Sequence, residues 1–250
     1  MILIVDAGNT NVSVALYKNE LIIFSDRCDT IRENFNQYYI DFFSKIYDRY
    51  PEIDDYVISS VVPSITDHLI GVLRRLYKKE GLIVNSSLVS DLKIDLHDRN
   101  ELGADLIATT YGALNKYQTP IIVADLGTAT KISVIDAELS FKGGLIIPGV
   151  SIAQKATEIM IPHLPQIKME LPEKLINYDT ITSMQAGLLY GTIYQVKGLV
   201  LAVEAELGMR ATKVLTGGYS RFIASEMNEF IYDEYLLMDG LLTIYHKYHI

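Results

Sequence analysis

Residues 1–21 read MILIVDAGNTNVSVALYKNEL, and this stretch decides the fold. An apolar run stops at Asp6, and a turn containing Gly8 separates it from a second run of alternating apolar residues. Such runs, joined by Gly and Asn, are typical of paired β-strands. With a third run at 21–26, the sequence predicts three consecutive strands. Downstream, the periodicity predicts helices over 34–50, 63–80 and 101–116, a strand over 56–60, and a helix C-cap at Gly81.

Residues 121–136 read IIVADLGTATKISVID and repeat the opening pattern. Asp125 lies 119 residues after Asp6 and is likewise followed by a glycine two positions later. The simplest interpretation is a duplicated α/β unit, with halves 1–117 and 118–250 packed closely around a cleft. Further elements predicted in the second half are strands over 121–125, 131–136, 139–147 and 212–216 and helices over 150–160, 180–207, 219–225 and 233–248, the last capped by Asp233.

The two Asp-x-Gly turns indicate nucleotide binding. A carboxylate at the end of a strand points toward the edge where ligands bind in α/β sheets, and a glycine lets the backbone approach a ligand. Turn N–H groups, Asn9 and the hydroxyls of Thr10 and Thr128 can donate to phosphate oxygens. Asp6 would repel a phosphate unless Mg²⁺ lay between them. The alternative is that both segments are ordinary hairpin turns, which use the same residue types.

Two further glycine pairs follow strands in the second half. Gly143-Gly144 leads to Pro148-Gly149, and Gly217-Gly218 stands between a predicted strand and a predicted helix. Strand-to-helix junctions of this kind expose N–H groups suited to a phosphate, although a tight turn needs the same glycines.

Composition restricts the function classes. The 22 basic and 31 acidic residues give a net charge of −9, which argues against a nucleic-acid partner. The one cysteine, Cys28, cannot form an internal disulfide, and no Cys/His spacing suits zinc. The sequence shows no signal peptide and no apolar run that suggests a membrane span, so we expect a cytoplasmic protein without a membrane partner.

Taken together in order, the motifs identify a family. They are DAGNT, SSVVPSIT, ELGAD, VADLGTAT, GGLIIPG, DTITSMQAGLLYG, TGG and DEYLLMDGLLTIY. The chain resembles the type III pantothenate kinases, the Bvg accessory factor-like proteins, over nearly its whole length. The resemblance implies the acetate and sugar kinase/Hsp70/actin fold with two ribonuclease H-like halves. It also implies a homodimer, ATP with Mg²⁺, a monovalent cation (potassium or ammonium), and phosphorylation of pantothenate in coenzyme A synthesis.

The resemblance also implies roles for individual residues. Asp105 corresponds to the catalytic base, Asp125 to the monovalent-cation ligand, Thr128 to an ATP contact and Thr180 to a substrate contact near the dimer interface. The first ATP-phosphate loop corresponds to Asp6, Ala7, Gly8, Asn9, Thr10, Asn11, Val12 and Ser13. The substrate positions are Leu96, Gly103, Ala104, Asp105, Leu106 and Thr180.

Two substrate positions depart from the family pattern. Leu106 stands where the family has an arginine, and Leu96 where it has a tyrosine. Losing a charged hydrogen bond to the pantothenate carboxylate costs about 1.5–3 kcal/mol. Three interpretations follow: Arg99 or another cation replaces the arginine, the acceptor is a less anionic small alcohol, or the protein binds nucleotide without kinase activity and serves a regulatory role.

Overall fold

The computed structural model describes residues 1–33 and 35–249. The chain divides into two compact units. The first contains Met1–Lys116 together with the C-terminal helix that begins at Leu236, and the second is Tyr117–Tyr235.

The first unit contains six strands and four α-helices among the residues described. Its strands are β1 (Ile2–Ala7), β2 (Asn11–Lys18), β3 (Leu21–Asp29), β4 (Asp55–Ser60), β5 (Leu82–Ile83) and β6 (Lys93–Ile94). Its helices are α1 (Asn36–Arg49), α2 (Pro63–Tyr77), α3 (Ala104–Lys116) and α6 (Leu236–Tyr248). A short 3₁₀ helix, Arg99–Glu101, precedes α3.

The second unit repeats the strand pattern. Its strands are β7 (Ile121–Leu126), β8 (Ala129–Ile135), β9 (Ser140–Pro148), β10 (Thr212–Thr216) and β11 (Ile231–Tyr232). Its helices are α4 (Val150–Met160) and α5 (Thr180–Leu207). Strands lie in the order β3-β2-β1-β4-β5 in the first unit and β9-β8-β7-β10-β11 in the second. In both, the first three strands are antiparallel and the fourth pairs in parallel with the first, so the units share one topology.

Strand alternation sets the two faces of the first sheet. Leu3, Val5 and Ala7 of β1 lie in an apolar core that includes residues of α1 and α2. Because successive strand residues point to opposite faces, Asp6 lies on the other face, and so does its cross-strand partner Ser13. The same alternation in β7 places Ile122, Ala124 and Leu126 in a core with α5 and leaves Asp125 on the opposite face.

Helix α6 packs against α3, whereas the sequence prediction assigned residues 236–250 to the second half. Two glycines allow the close crossing. A Cβ at Gly112 would overlap the Leu236 carbonyl, and a Cβ at Gly240 would overlap the Ala108 carbonyl. The packing of α6 against α3 joins residues far apart in the sequence, so the periodicity of α6 alone does not predict it.

Replacing Gly240 with alanine is therefore expected to destabilise the protein by about 2 kcal/mol, since overpacking a closely packed contact typically costs about 1–3 kcal/mol. The matched control is Gly71→Ala on the exposed side of α2, where the described residues place nothing within 4 Å of the new Cβ. That change should stabilise the helix by about 0.5–1 kcal/mol. Urea unfolding measures both changes, and equal stability of Gly240→Ala and Gly71→Ala would contradict the close crossing.

Several predicted element boundaries were wrong. Helix α2 ends at Tyr77, before the predicted cap Gly81, because Lys78 already adopts the left-handed conformation (φ 57°) that terminates a helix. The predicted helix over 219–225 is instead two 3₁₀ turns, Ser220–Phe222 and Ala224–Glu226. Helix α6 begins at Leu236, and Asp233 instead accepts a hydrogen bond from the Tyr235 N–H (3.2 Å).

Helix α5 is long and apolar enough to span a membrane by length and composition, which the sequence prediction had not recognised. It has 28 residues, and its most apolar 18-residue window has a mean hydropathy of 1.3. One face, with Leu189, Ile193 and Val196, packs in the core of the second unit. A single helix that covers a core in this way is weak evidence for a membrane span.

Candidate active site

The first Asp-Gly turn connects β1 to β2 and is held by backbone and side-chain bonds. The Gly8 N–H donates to the Asn11 carbonyl (2.9 Å), which closes the turn. The Thr30 hydroxyl donates to the Gly8 carbonyl (2.7 Å). The Arg32 guanidinium donates to the carbonyl (3.1 Å) and side-chain oxygen (3.0 Å) of Asn9. Thr30 and Arg32 thus hold the backbone of the turn in place, while Asn9 and Thr10 remain exposed.

Asp6 and Ser59 occupy neighbouring positions on β1 and β4. They are register partners in the parallel pair, so their side chains share one face of the sheet. The Ser59 hydroxyl is buried and has no hydrogen-bond partner among the described residues. A buried hydroxyl without a partner can hydrogen-bond to a water molecule of an ion that the neighbouring carboxylate binds. These residues therefore fit the Mg²⁺ that the resemblance implies.

Asp105 lies in the first turn of α3, close to the end of β4. A Cβ at Gly103 would lie 3.6 Å from Val61 Cγ1, and the Val61 N–H donates to the Ala7 carbonyl (3.0 Å). The same Cβ would lie 2.8 Å from Asp105 Oδ1, so glycine at this position lets the carboxylate fold back. Asp105 Oδ1 also accepts the Leu106 N–H (2.7 Å). These contacts link the carboxylate to the end of β1 that carries the first turn.

The second turn is packed against two glycines. A Cβ at Gly217, where φ is 93°, would lie 2.6 Å from the Leu126 nitrogen and would overlap Asp125 Oδ1. A Cβ at Gly149 would lie 2.7 Å from the Gly127 carbonyl. The second unit therefore brings Asp125, the turn from Gly127 and the glycines Gly149 and Gly217 close together. Phosphate binding at this place stays a prediction.

Asp125 is paired with Lys131. The two residues are direct cross-strand partners in the β7–β8 hairpin, and Lys131 Nζ lies 2.9 Å from Asp125 Oδ2. Both side chains are mostly buried, with exposed fractions of 17% for Lys131 and 13% for Asp125. An ammonium group thus stands where the resemblance implies a monovalent cation, so the residues present do not fit a resident potassium or ammonium ion.

The segment before α3 is anchored by charged side chains. Arg99 donates to the backbone carbonyls of Ser86 (3.3 Å), Leu92 (2.8 Å) and Val89. This guanidinium holds its own loop, so the interpretation in which Arg99 replaces the missing arginine loses its support. Leu96 and Leu106 are half-buried.

Helix α6 helps to fix the same segment. Asp91 bonds to Lys247 and Tyr248. The hydrogen bond from Lys247, followed by that from Tyr248, lowers the pKa of Asp91 to about 2. Asp91 therefore keeps its charge to a lower pH than an ordinary aspartate, and its bonds to Lys247 and Tyr248 tie the loop to α6.

Thr180 is the first residue of α5 and is exposed. Asp179 caps the helix by accepting the Thr182 N–H (3.0 Å). The predicted bounds of α5, including the position of Thr180, agree with the structure.

Within residues 1–33 and 35–249, no group of three or more His, Cys, Asp or Glu side chains is arranged to hold a metal ion. Mg²⁺ in kinases is commonly held by one or two carboxylates together with substrate phosphates, so this finding is compatible with the Asp6 site.

A sequence model of the type III pantothenate kinase family matches residues 2–202. The chain belongs to the type III pantothenate kinase family. A type III pantothenate kinase from Halalkalibacterium halodurans is 32% identical over 252 residues, covering 99% of each chain. One from Roseiflexus sp. is 35% identical over 250 residues, covering 98% of each chain. The family resemblance inferred from the ordered motifs is therefore confirmed.

Solved structures confirm the fold of this type III pantothenate kinase family member. A Baf family protein from Campylobacter jejuni has a TM-score of 0.65 at 20% identity and covers 98% of each chain. MreB5 of Spiroplasma citri bound to ADP has a TM-score of 0.56 at 11% identity, with 98% of this chain and 96% of that chain covered. The predicted duplicated fold of the actin and sugar kinase class is correct.

Sequence reasoning did not select Lys131 or Ser59. The signal for Lys131 is the hairpin register, because a hairpin centred on Thr128 places residue 131 opposite Asp125. Ser59 had no comparable signal, since its register depends on the crossover between β1 and β4.

Proposed function

We propose that this protein transfers the γ-phosphoryl group of ATP to the primary hydroxyl of pantothenate, the first step of coenzyme A synthesis. Membership of the type III pantothenate kinase family supports the reaction. The observation that carries the residue assignment is the position of Asp105, whose helix begins beside Val61 at the same edge as the first Asp-Gly turn. ATP and pantothenate are cytoplasmic metabolites in this scheme, so we place the protein in the cytoplasm.

Asp105 is the proposed general base. Phosphoryl transfer depends mainly on positioning and on neutralising charge, and a carboxylate need only accept the hydroxyl proton late. The Leu106 N–H orients Asp105 Oδ1, and Gly103 leaves room for that orientation. Leu96, Gly103, Ala104, Leu106 and Thr180 are the proposed substrate positions.

The two turns are the proposed nucleotide phosphate sites. Residues 6–13 form the first of these sites, where the exposed Asn9 and Thr10 donate to phosphate oxygens, and Thr128 does so from the second turn. Mg²⁺, when bound, neutralises charge on the phosphates. Asp6, with Ser59 beside it, is the proposed residue that faces this ion.

The acceptor side lacks the family's arginine. Leu106 occupies the position of the family's arginine, and Arg99 is bonded to backbone carbonyls of its own loop. We therefore propose that pantothenate binds without a guanidinium contact from position 106, and so binds weakly. No comparison favours the alternative of a nucleotide-binding relative without kinase activity.

The proposed homodimer uses the exposed face of α5. Small or apolar residues recur there every three or four positions, as on one side of a helix. They are Gly187, Gly191, Tyr194, Gly198 and Leu201. Tyr194 and Leu201 have exposed fractions of 59% and 58%, and in the part of the chain that the structure describes nothing lies within 4 Å of a Cβ at these glycines. An apolar stripe of this kind suits close approach of an identical helix.

Light scattering after size-exclusion chromatography tests the homodimer. Leu201→Glu is expected to convert a dimer into a monomer, because two carboxylates would be buried at the symmetric contact. The matched control is Leu21→Glu on β3, a residue exposed to 69% outside α5, which should leave the mass unchanged. A monomeric wild-type protein at micromolar concentration would contradict the proposal.

The activity test follows ADP release with ATP and Mg²⁺ at millimolar pantothenate, against a blank without pantothenate. Release that depends on pantothenate supports the assignment, and release equal to the blank contradicts it.

A further inference from the structure

We propose that Lys131 is a tethered cation that replaces the monovalent ion at Asp125 and makes this enzyme independent of potassium and ammonium. The inference deepens the proposed function and rests on it for its catalytic meaning.

The geometry starts from strand register. Asp125 and Lys131 are opposite residues in the β7–β8 hairpin, so their side chains share one face of the sheet. The Nζ–Oδ2 distance of 2.9 Å is that of a charge-assisted hydrogen bond. Both side chains are largely shielded from water, where an ion pair is screened less than at the surface.

The duplicated topology provides an internal comparison. In the first unit, the residue opposite Asp6 at the corresponding hairpin position is Ser13, which carries no charge. In the second unit, that position carries the ammonium group of Lys131. The two turns thus join equivalent strands, but the residue opposite the aspartate adds a positive charge only beside the second turn.

The packing around Asp125 fixes the orientation of its carboxylate toward Lys131. A Cβ at Gly217 would overlap Asp125 Oδ1, and a Cβ at Gly127 would lie 3.7 Å from the same oxygen. One side of the carboxylate therefore faces the glycine turn while Oδ2 faces Lys131. A potassium or ammonium ion at Oδ2 would meet the like charge of Lys131 at close range, which is unfavourable.

The chemical consequence is that the positive charge beside the second phosphate turn is supplied by the chain. An ammonium on a lysine stem is a compact charge with three donors, similar in size to the free ions it would replace. Lys131 is accordingly a positioning residue: it neutralises Asp125 and keeps the phosphate turn from carrying a net negative charge.

The test compares wild type with Lys131→Met in potassium chloride and in choline chloride at equal ionic strength. The first readout is thermal unfolding without nucleotide. We expect the wild-type midpoint to be the same in both salts, and the Lys131→Met midpoint to be higher in potassium, because a free ion can then occupy the place beside Asp125.

The second readout is ADP release with pantothenate. Wild type should keep its rate within about twofold when potassium is replaced by choline, and Lys131→Met should lose at least about tenfold in choline and recover in potassium. The control is Lys142→Met, which removes the more distant pair with Asp136 (3.8 Å) in the same sheet and should show no potassium dependence.

Two results would overturn the proposal. One is a wild-type protein that potassium specifically stabilises or activates. The other is a Lys131→Met variant that behaves alike in both salts, which would make the pair merely structural. If neither protein releases ADP with pantothenate, the proposed function fails, while the unfolding midpoints still decide the role of Lys131.

Discussion

Replacing Asp105 with asparagine is expected to lower kcat by about 10²–10⁴-fold, the usual contribution of a general base. Asparagine has nearly the same shape, but it cannot accept the proton that the pantothenate hydroxyl loses. Asp105 is half-buried at the start of α3, so the substitution should leave the fold intact. ADP release measures the loss, and an unchanged ATP-induced thermal shift would show that nucleotide binding is retained.

The control for this experiment is Glu101→Gln. Glu101 is exposed in the 3₁₀ helix just before α3, and its substitution removes the same charge close to the same helix end. We expect it to keep activity near that of wild type. A role for Asp105 as base would be contradicted if Asp105→Asn retained more than about half of the wild-type rate.

Leu106→Arg is expected to lower the KM for pantothenate by about ten- to a hundredfold, with little change in kcat. A guanidinium at this position can form a charged hydrogen bond with the pantothenate carboxylate, and such bonds contribute about 1.5–3 kcal/mol. Leu106 follows the proposed base directly and is only half-buried, so the longer side chain has a path to solvent. Steady-state kinetics with varied pantothenate measure the effect.

The matched variants for position 106 are Leu106→Lys and Leu106→Gln. Lysine supplies the charge without the planar fork, so its gain should be smaller than that of arginine. Glutamine supplies polarity without charge and should leave KM close to the wild-type value. If arginine left KM unchanged in a folded protein, position 106 would not face the acceptor carboxylate.

Much of the fold was predictable because its signals are local. The two Asp-x-Gly hairpins predicted the repeated strand order, and the bounds of α4, α5 and β10 follow from short-range periodicity. The placement of α6 was not predictable in this way. Its contact with α3 depends on Gly112 and Gly240, which lie far apart in the sequence and meet only in the folded chain.

The candidate site shows the same division. Asp6 and Asp125 were selected from the two Asp-x-Gly turns, and Asp105 was selected from the family resemblance; the roles of all three stay predictions. The engagement of Arg99 by three backbone carbonyls could not be predicted, because a lone arginine before a helix carries no signal of what it contacts. Lys131 is an intermediate case. Strand register places it opposite Asp125, but only the structure shows that the two side chains form an ion pair, at 2.9 Å.

The most direct test of the central claim is to incubate the protein with γ-labelled ATP, Mg²⁺ and pantothenate and to identify the labelled product by mass spectrometry. We expect the label to appear on the pantothenate hydroxyl in equal amount to the ADP formed, and Asp105→Asn to slow this transfer by about 10²–10⁴-fold. Label that stays on ATP, or that is released only as inorganic phosphate, would contradict it.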